Sequence, residues 1–216
     1  SKDVVLKTAL MIAGVDLRFR VPNFTADNMK KVEAAWDDTA TALLNAAALL
    51  ASFGLTERTL TAGSVIVPIA YYLSHRGLST GYVDADKHAA DRAAIRGWVI
   101  RSLIKRGIWG SALDSLLGRL RNVIEQHGNE HFPVAEIEAD MASAGKSLTF
   151  EATEIDELLG LKYQGQSTFP VLALLYPGLD LSKAFHEDHI FPKSRFTPKR
   201  LMDAGVPATD IPAYVE

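Results

Sequence analysis

Four ionisable side chains stand in a row toward the C-terminal end of this chain: His186, Glu187, Asp188 and His189, with Phe185 before them and Phe191 and Pro192 close behind. So dense a polar cluster between apolar residues is costly unless it faces water or coordinates something. The two histidines are three residues apart rather than the four a zincin helix needs, and Pro192 forbids continuing a helix there. No nucleophile elbow precedes them, which excludes a Ser-His-Asp arrangement of that kind. The order Asp188, His189, Ile190, Phe191, Pro192 suits hydrolysis of a phosphodiester with a hard divalent ion, Mg²⁺ above others. Asp188 would hold the ion. His189, whose side-chain type titrates near neutrality, would take the proton from the attacking water. The plainer alternative is an ordinary strand end with a carboxylate–imidazole hydrogen bond. A flat strand points neighbours to opposite faces, so both residues serve one site only where the strand ends or twists at His189, which Pro192 favours.

Lys193, Arg195, Lys199 and Arg200 place four cations within eight residues just after this cluster, beside Phe191 and Phe196. Cations there would hold a DNA phosphate backbone without reading its sequence. The other reading is a solvated, basic start of a helix at Thr197.

The elements that must position these groups read as helices almost throughout. Apolar periodicity predicts a first helix over 1–13 with Gly14 as its stop, then an extended stretch over 16–23. Thr25 stands where an N-cap should, opening one long helix to about Phe53, with Gly54 at its end. Positions 29, 32, 36, 39, 43, 46, 50 and 53 of that helix are apolar except Thr39, which predicts a seam against a partner helix in an intramolecular bundle. Ser64 opens a compact helix closed by Gly77, with Pro68 tolerable in its first turns. Asp84 or Asp86 is expected to cap a helix to about Arg106. Further helices are expected over 111–126, 134–144, 151–159 and 167–176.

On the helix to Arg106, Arg92 and Arg96 fall nearly opposite Arg101 and Lys105 at about 100° per residue. Two solvated flanks around a buried stripe of Ile95, Val99 and Leu103 fit better than a DNA-binding face. Trp36, Trp98, Trp109, Tyr71 and Tyr72 read as packing residues. His75, His88, His127 and His131 stand alone near helix ends or in loops.

Composition bounds these readings. Hydrophobic residues make up 48% and charged residues 23% of the 216, as in an ordinary globular protein. The apolar stretches are too short to span a bilayer, so no membrane partner is expected. The absence of cysteine excludes disulfides and Cys-ligated zinc, and fits a cytoplasmic location. A net charge of -3 argues against coating nucleic acid with the whole surface, so any polyanion site must be local.

The run from Asp188 to Pro192 resembles the first strand of HNH, or His-Me finger, nucleases. Three further stretches narrow the resemblance: residues 19–24 (Phe-Arg-Val-Pro-Asn-Phe), Leu60-Thr61-Ala62 with Val67 to Tyr72, and Leu172 to Pro177. Together they look like the C-terminal half of GmrSD-type restriction endonucleases, prokaryotic defence proteins that cut modified phage DNA. That resemblance implies a divalent metal, Asp188 as its ligand, His189 as general base and His186 as a further ligand or supporting group. It also implies a nucleotide-dependent domain ahead of the helical region.

The expected fold is therefore mainly α, with a multi-helix bundle over 1–178 and an incomplete ββα-metal, HNH-like segment over 179–216. An HNH fold also takes an Asn and a further His or Asn from a second strand and helix, and neither type follows His189 here. The chain is accordingly expected to be a fragment, inactive alone and weak in metal binding. The rival expectation is a non-catalytic helical module for protein interaction or DNA positioning, with a vestigial motif.

Overall fold

The computed structural model describes residues 1–161, 165, 167–176, 179 and 193–215. Among them are eleven α-helices and no strand: α1 (Lys2–Ile12), α2 (Ala26–Ala34), α3 (Trp36–Ser52), α4 (Ile66–His75), α5 (Ala89–Ile104), α6 (Leu113–His127), α7 (Val134–Ser143), α8 (Ala152–Leu159), α9 (Thr168–Leu175), α10 (Pro198–Asp203) and α11 (Ile211–Val215). None is long and apolar enough to cross a membrane.

Helix α4 is apolar on every side, and its residues from Val67 to Leu73 are all buried, so it belongs at the centre of a bundle. It packs against α1, α3 and α6. Helix α5 has two working faces. Ile95, Trp98, Val99 and Leu103 join the main core around α4. Ile100 and Ile104 instead meet Ala173 of α9 in a smaller cluster, edged by Phe150, Leu158, Phe169 and Val171. The expected stripe of Ile95, Val99 and Leu103 is buried.

Local chemistry sets several of the boundaries. Thr25 accepts the Asn28 N–H through its hydroxyl at 3.2 Å and so caps α2. Gly54 and Gly77 end α3 and α4 with φ of 77° and 59°, a conformation that costs glycine little. In each case the following residue, Leu55 or Leu78, donates back to Leu50 or Leu73 and satisfies a terminal carbonyl.

The single long helix expected over 25–53 is two helices. The chain breaks at Ala35, whose φ of -93° and ψ of 8° leave the helical well, while its N–H still bonds to the end of α2. Asp37 and Asp38 then stand in the first turn of α3, where the helix dipole favours negative charge. The proposed seam consequently fails at its middle: Trp36 is 50% exposed, not core. The seam positions Val32, Thr39, Ala46, Leu50 and Phe53 are buried, and α3 adds Ala42, Asn45 and Leu49 to them.

Two expected starts also differ. Neither Asp84 nor Asp86 caps α5; residues Asp86–His88 form a 3-10 turn, and α5 begins after His88 without a side-chain cap. Helix α6 follows Ala112, which sits in the left-handed region at φ 57° and ψ 33°.

Candidate functional site

His186, Asp188 and His189 lie outside the described residues, as do Glu187, Phe191, Pro192 and the side chain of Lys193. The expected first strand of the HNH-like segment falls there too. What the structure describes is the basic turn that follows. Lys193–Arg195 form a 3-10 turn, and Thr197 then caps α10, accepting the Arg200 N–H at 3.4 Å, with Pro198 in the first helical position. The expected helix start at Thr197 is therefore observed. Leu201 turns inward, while Arg195, Lys199 and Arg200 are exposed.

Arg200 is not simply solvated. Its guanidinium donates to the Ser194 carbonyl at 2.6 Å and closes the turn onto the helix. One cation thus braces the backbone that carries Arg195 and Lys199. The turn presents the exposed positive charges of Arg195 and Lys199 on a short, capped scaffold.

The basic residues of α5 do something else. Arg92 donates to the carbonyls of Tyr82 and Ala85, each at 2.7 Å, and Arg96 donates to the Ala173 carbonyl at 2.9 Å. Desolvation holds the Arg96 guanidinium below its ordinary value. Arg101 grips both oxygens of Glu138, and Lys105 reaches Glu154 and the Thr149 carbonyl. The two flanks are not the free, solvated charges expected from the helical wheel. Arg92 ties α5 to the turn just before it, whereas Arg96, Arg101 and Lys105 tie it to carbonyls or carboxylates at least 37 residues away.

Asp91 was not singled out by sequence reasoning, yet it organises one end of the core. Its Oδ2 accepts the hydroxyls of Tyr72 at 2.6 Å and Tyr82 at 2.7 Å, and its Oδ1 accepts the Phe132 N–H at 2.6 Å. Arg76 donates to the Tyr72 hydroxyl at 3.0 Å. Burial first, and then the hydrogen bond to Asp91, push both phenols well above the usual tyrosine range. They stay protonated at neutral pH and act as fastenings rather than as acids or bases. A signal was present in the sequence: Asp91 stands four residues before Ile95, on the stripe of α5 that is buried.

The isolated histidines sit largely as expected. His75 and His127 occupy the last turns of α4 and α6. His75 pairs with the Asn129 side chain at 3.1 Å and stacks on Tyr71. Among the described residues, no group of three or more His, Asp or Glu side chains is placed to hold a metal ion. A shallow cleft between α5 and α8 is lined by Ile104, Lys105, Phe150, Glu154 and Leu158. Its charged groups are engaged in the Lys105–Glu154 pair and, at its edge, Arg106–Glu157.

No protein-family model matches the chain, and no curated protein matches it.

Proposed function

We propose that this chain is the helical region and the opening of the nuclease domain of a metal-dependent, HNH-type DNA endonuclease, in a restriction system that cuts modified phage DNA. The observation that carries the reading is the sequence run Asp188, His189, Ile190, Phe191, Pro192, followed at once by the basic turn of Arg195, Lys199 and Arg200. The resemblance to GmrSD-type enzymes at residues 19–24, 60–62, 67–72 and 172–177 adds to it.

The donor chemistry fits a hard divalent ion. Asp188 supplies carboxylate oxygen, and His186 can add an imidazole nitrogen. When bound, such an ion offsets charge on the scissile phosphate and on the leaving oxygen. His189 takes a proton from water as the water oxygen attacks phosphorus, and the bond from phosphorus to the 3′ or 5′ oxygen breaks. Arg195 and Lys199 hold flanking phosphates, and Arg200 keeps their turn in shape through Ser194.

Cleavage of modified and unmodified DNA by the protein in its full natural reading frame tests this, with Mg²⁺ present and with Asp188→Ala as the control. A second reading, a non-catalytic helical module that docks a partner protein, draws on one observation. Leu174, Leu175 and Tyr176 at the end of α9 are exposed. Loss of phage protection on α9 surface substitution, with no cleavage by the wild-type protein, would favour that module.

A further inference from the structure

The loop between α1 and α2 buries Val15 and Leu17 in the core, but its second half, residues 19–24, turns three apolar side chains outward although it is held by its own hydrogen bonds. Phe19 is 41% exposed, Val21 88% and Phe24 39%. The Asn23 side chain donates to the Arg18 carbonyl at 2.6 Å, and the Asn28 side chain, from the first turn of α2, donates to the Asn23 carbonyl at 2.9 Å. Phe24 N–H closes a turn onto the Val21 carbonyl at 3.1 Å. The side chains are therefore presented by a fixed backbone. A rigid loop that displays aromatic rings is more informative than single apolar residues scattered over a surface.

The two rings are 6.4 Å apart and tilted by 49°, so they offer two separate faces instead of covering one another. Lys7 lies 4.0 Å from the centre of the Phe19 ring and fills its inner side. The sequence around them is basic. Residues 17–31 carry Arg18, Arg20, Lys30 and Lys31 against one carboxylate, Asp27, in a chain whose net charge is -3. Arg18 is committed to Asp16, whereas Arg20 is exposed between the two rings in sequence. Lys31 stands three residues after Asn28, on the side of α2 that is tied to the loop.

We propose that this loop is a binding platform for single-stranded DNA, with Phe19 and Phe24 each stacking an unpaired base and Arg20 and Lys31 holding the backbone. Exposed rings beside cations are the means by which single strands are bound without regard to sequence, because every base has a π-face. Duplex bases are already stacked and cannot use the rings. The choice of DNA over RNA rests on the nuclease reading above; the stacking surface does not.

Fluorescence anisotropy with a labelled oligothymidylate of about 12 nucleotides tests the platform, in EDTA so that no cleavage intervenes. The wild-type protein should bind it, and a duplex of equal length should compete poorly. Phe19→Ala and Phe24→Ala should each weaken binding about tenfold. Val21→Asp, at a position too exposed to unfold the chain, should weaken it as well. Arg20→Gln should lower the salt slope by about 0.7. No binding by the wild type, or unchanged affinity in both Phe variants with their helical circular dichroism kept, overturns the proposal, even if the patch then proves to bind a protein. Continued cleavage by Asp188→Ala would instead defeat the nuclease reading and leave the oligonucleotide result standing.

Discussion

The Tyr82 hydroxyl donates to the Asp91 carboxylate at 2.7 Å, joining the turn before α5 to the helix itself, and the same oxygen also accepts from Tyr72 of α4. One half-buried carboxylate thereby fastens three segments. Removing it leaves two phenols and the Phe132 N–H without their acceptor. Asp91→Ala is expected to cost roughly 3 kcal/mol or more of stability, because stranded buried donors are penalised individually. Urea denaturation checks this, and Asp91→Asn, which keeps a carbonyl acceptor, should lose less.

The same relationship predicts alkaline sensitivity. Tyr72 and Tyr82 have folded-state values raised above the unfolded value of about 10. Their contribution is fully present below about pH 10 and is lost as pH rises from there toward the folded values. The urea midpoint should fall above about pH 10, and the double substitution Tyr72→Phe, Tyr82→Phe should flatten that fall.

Ala112 supplies a stabilising substitution. A residue with a Cβ at φ 57° carries a steric penalty of about 1–2 kcal/mol that glycine avoids. Glycine loses part of that gain through its freer unfolded state. Ala112→Gly is expected to raise stability by about 0.5–1 kcal/mol, measured by thermal or chemical denaturation.

The tryptophans separate the observed helices from a continuous helix through residue 36. Trp98 is fully buried, so Trp98→Ala should cost roughly 3–5 kcal/mol. Trp36 is half exposed, so Trp36→Ala should cost less than about 1 kcal/mol and should remove most of the iodide-quenchable fluorescence.

Much of the helical plan was legible because its signals are local. The Thr25 cap, the stops at Gly54 and Gly77 and the start at Thr197 each depend on residues within one turn. The break at Ala35 was not legible. No glycine or proline marks it, and an alanine followed by tryptophan is compatible with an uninterrupted helix. Asp91 was missed for a related reason: Tyr72, Tyr82 and Phe132 reach it from 19, 9 and 41 residues away. The pairing of Arg101 with Glu138, 37 residues on, likewise follows from packing and not from periodicity. Of the candidate site, the basic turn was readable as a capped helix start, but the bond from Arg200 to Ser194 was not.

That bond distinguishes the cations from one another. Arg195→Ala and Lys199→Ala should each weaken duplex DNA binding uniformly across sequences and reduce the salt slope by about 0.9. Arg200→Ala should do this and also loosen the turn, which hydrogen exchange at Arg195 and Phe196 would register.

The most direct measurement is the rate of Mg²⁺-dependent cleavage of base-modified DNA by the protein in its full natural reading frame, compared with Asp188→Ala and His189→Ala. Losses of about a hundredfold or more in both variants, with DNA affinity kept, are predicted. Cleavage at the wild-type rate by either variant would contradict the assignment of that carboxylate and imidazole to the chemistry.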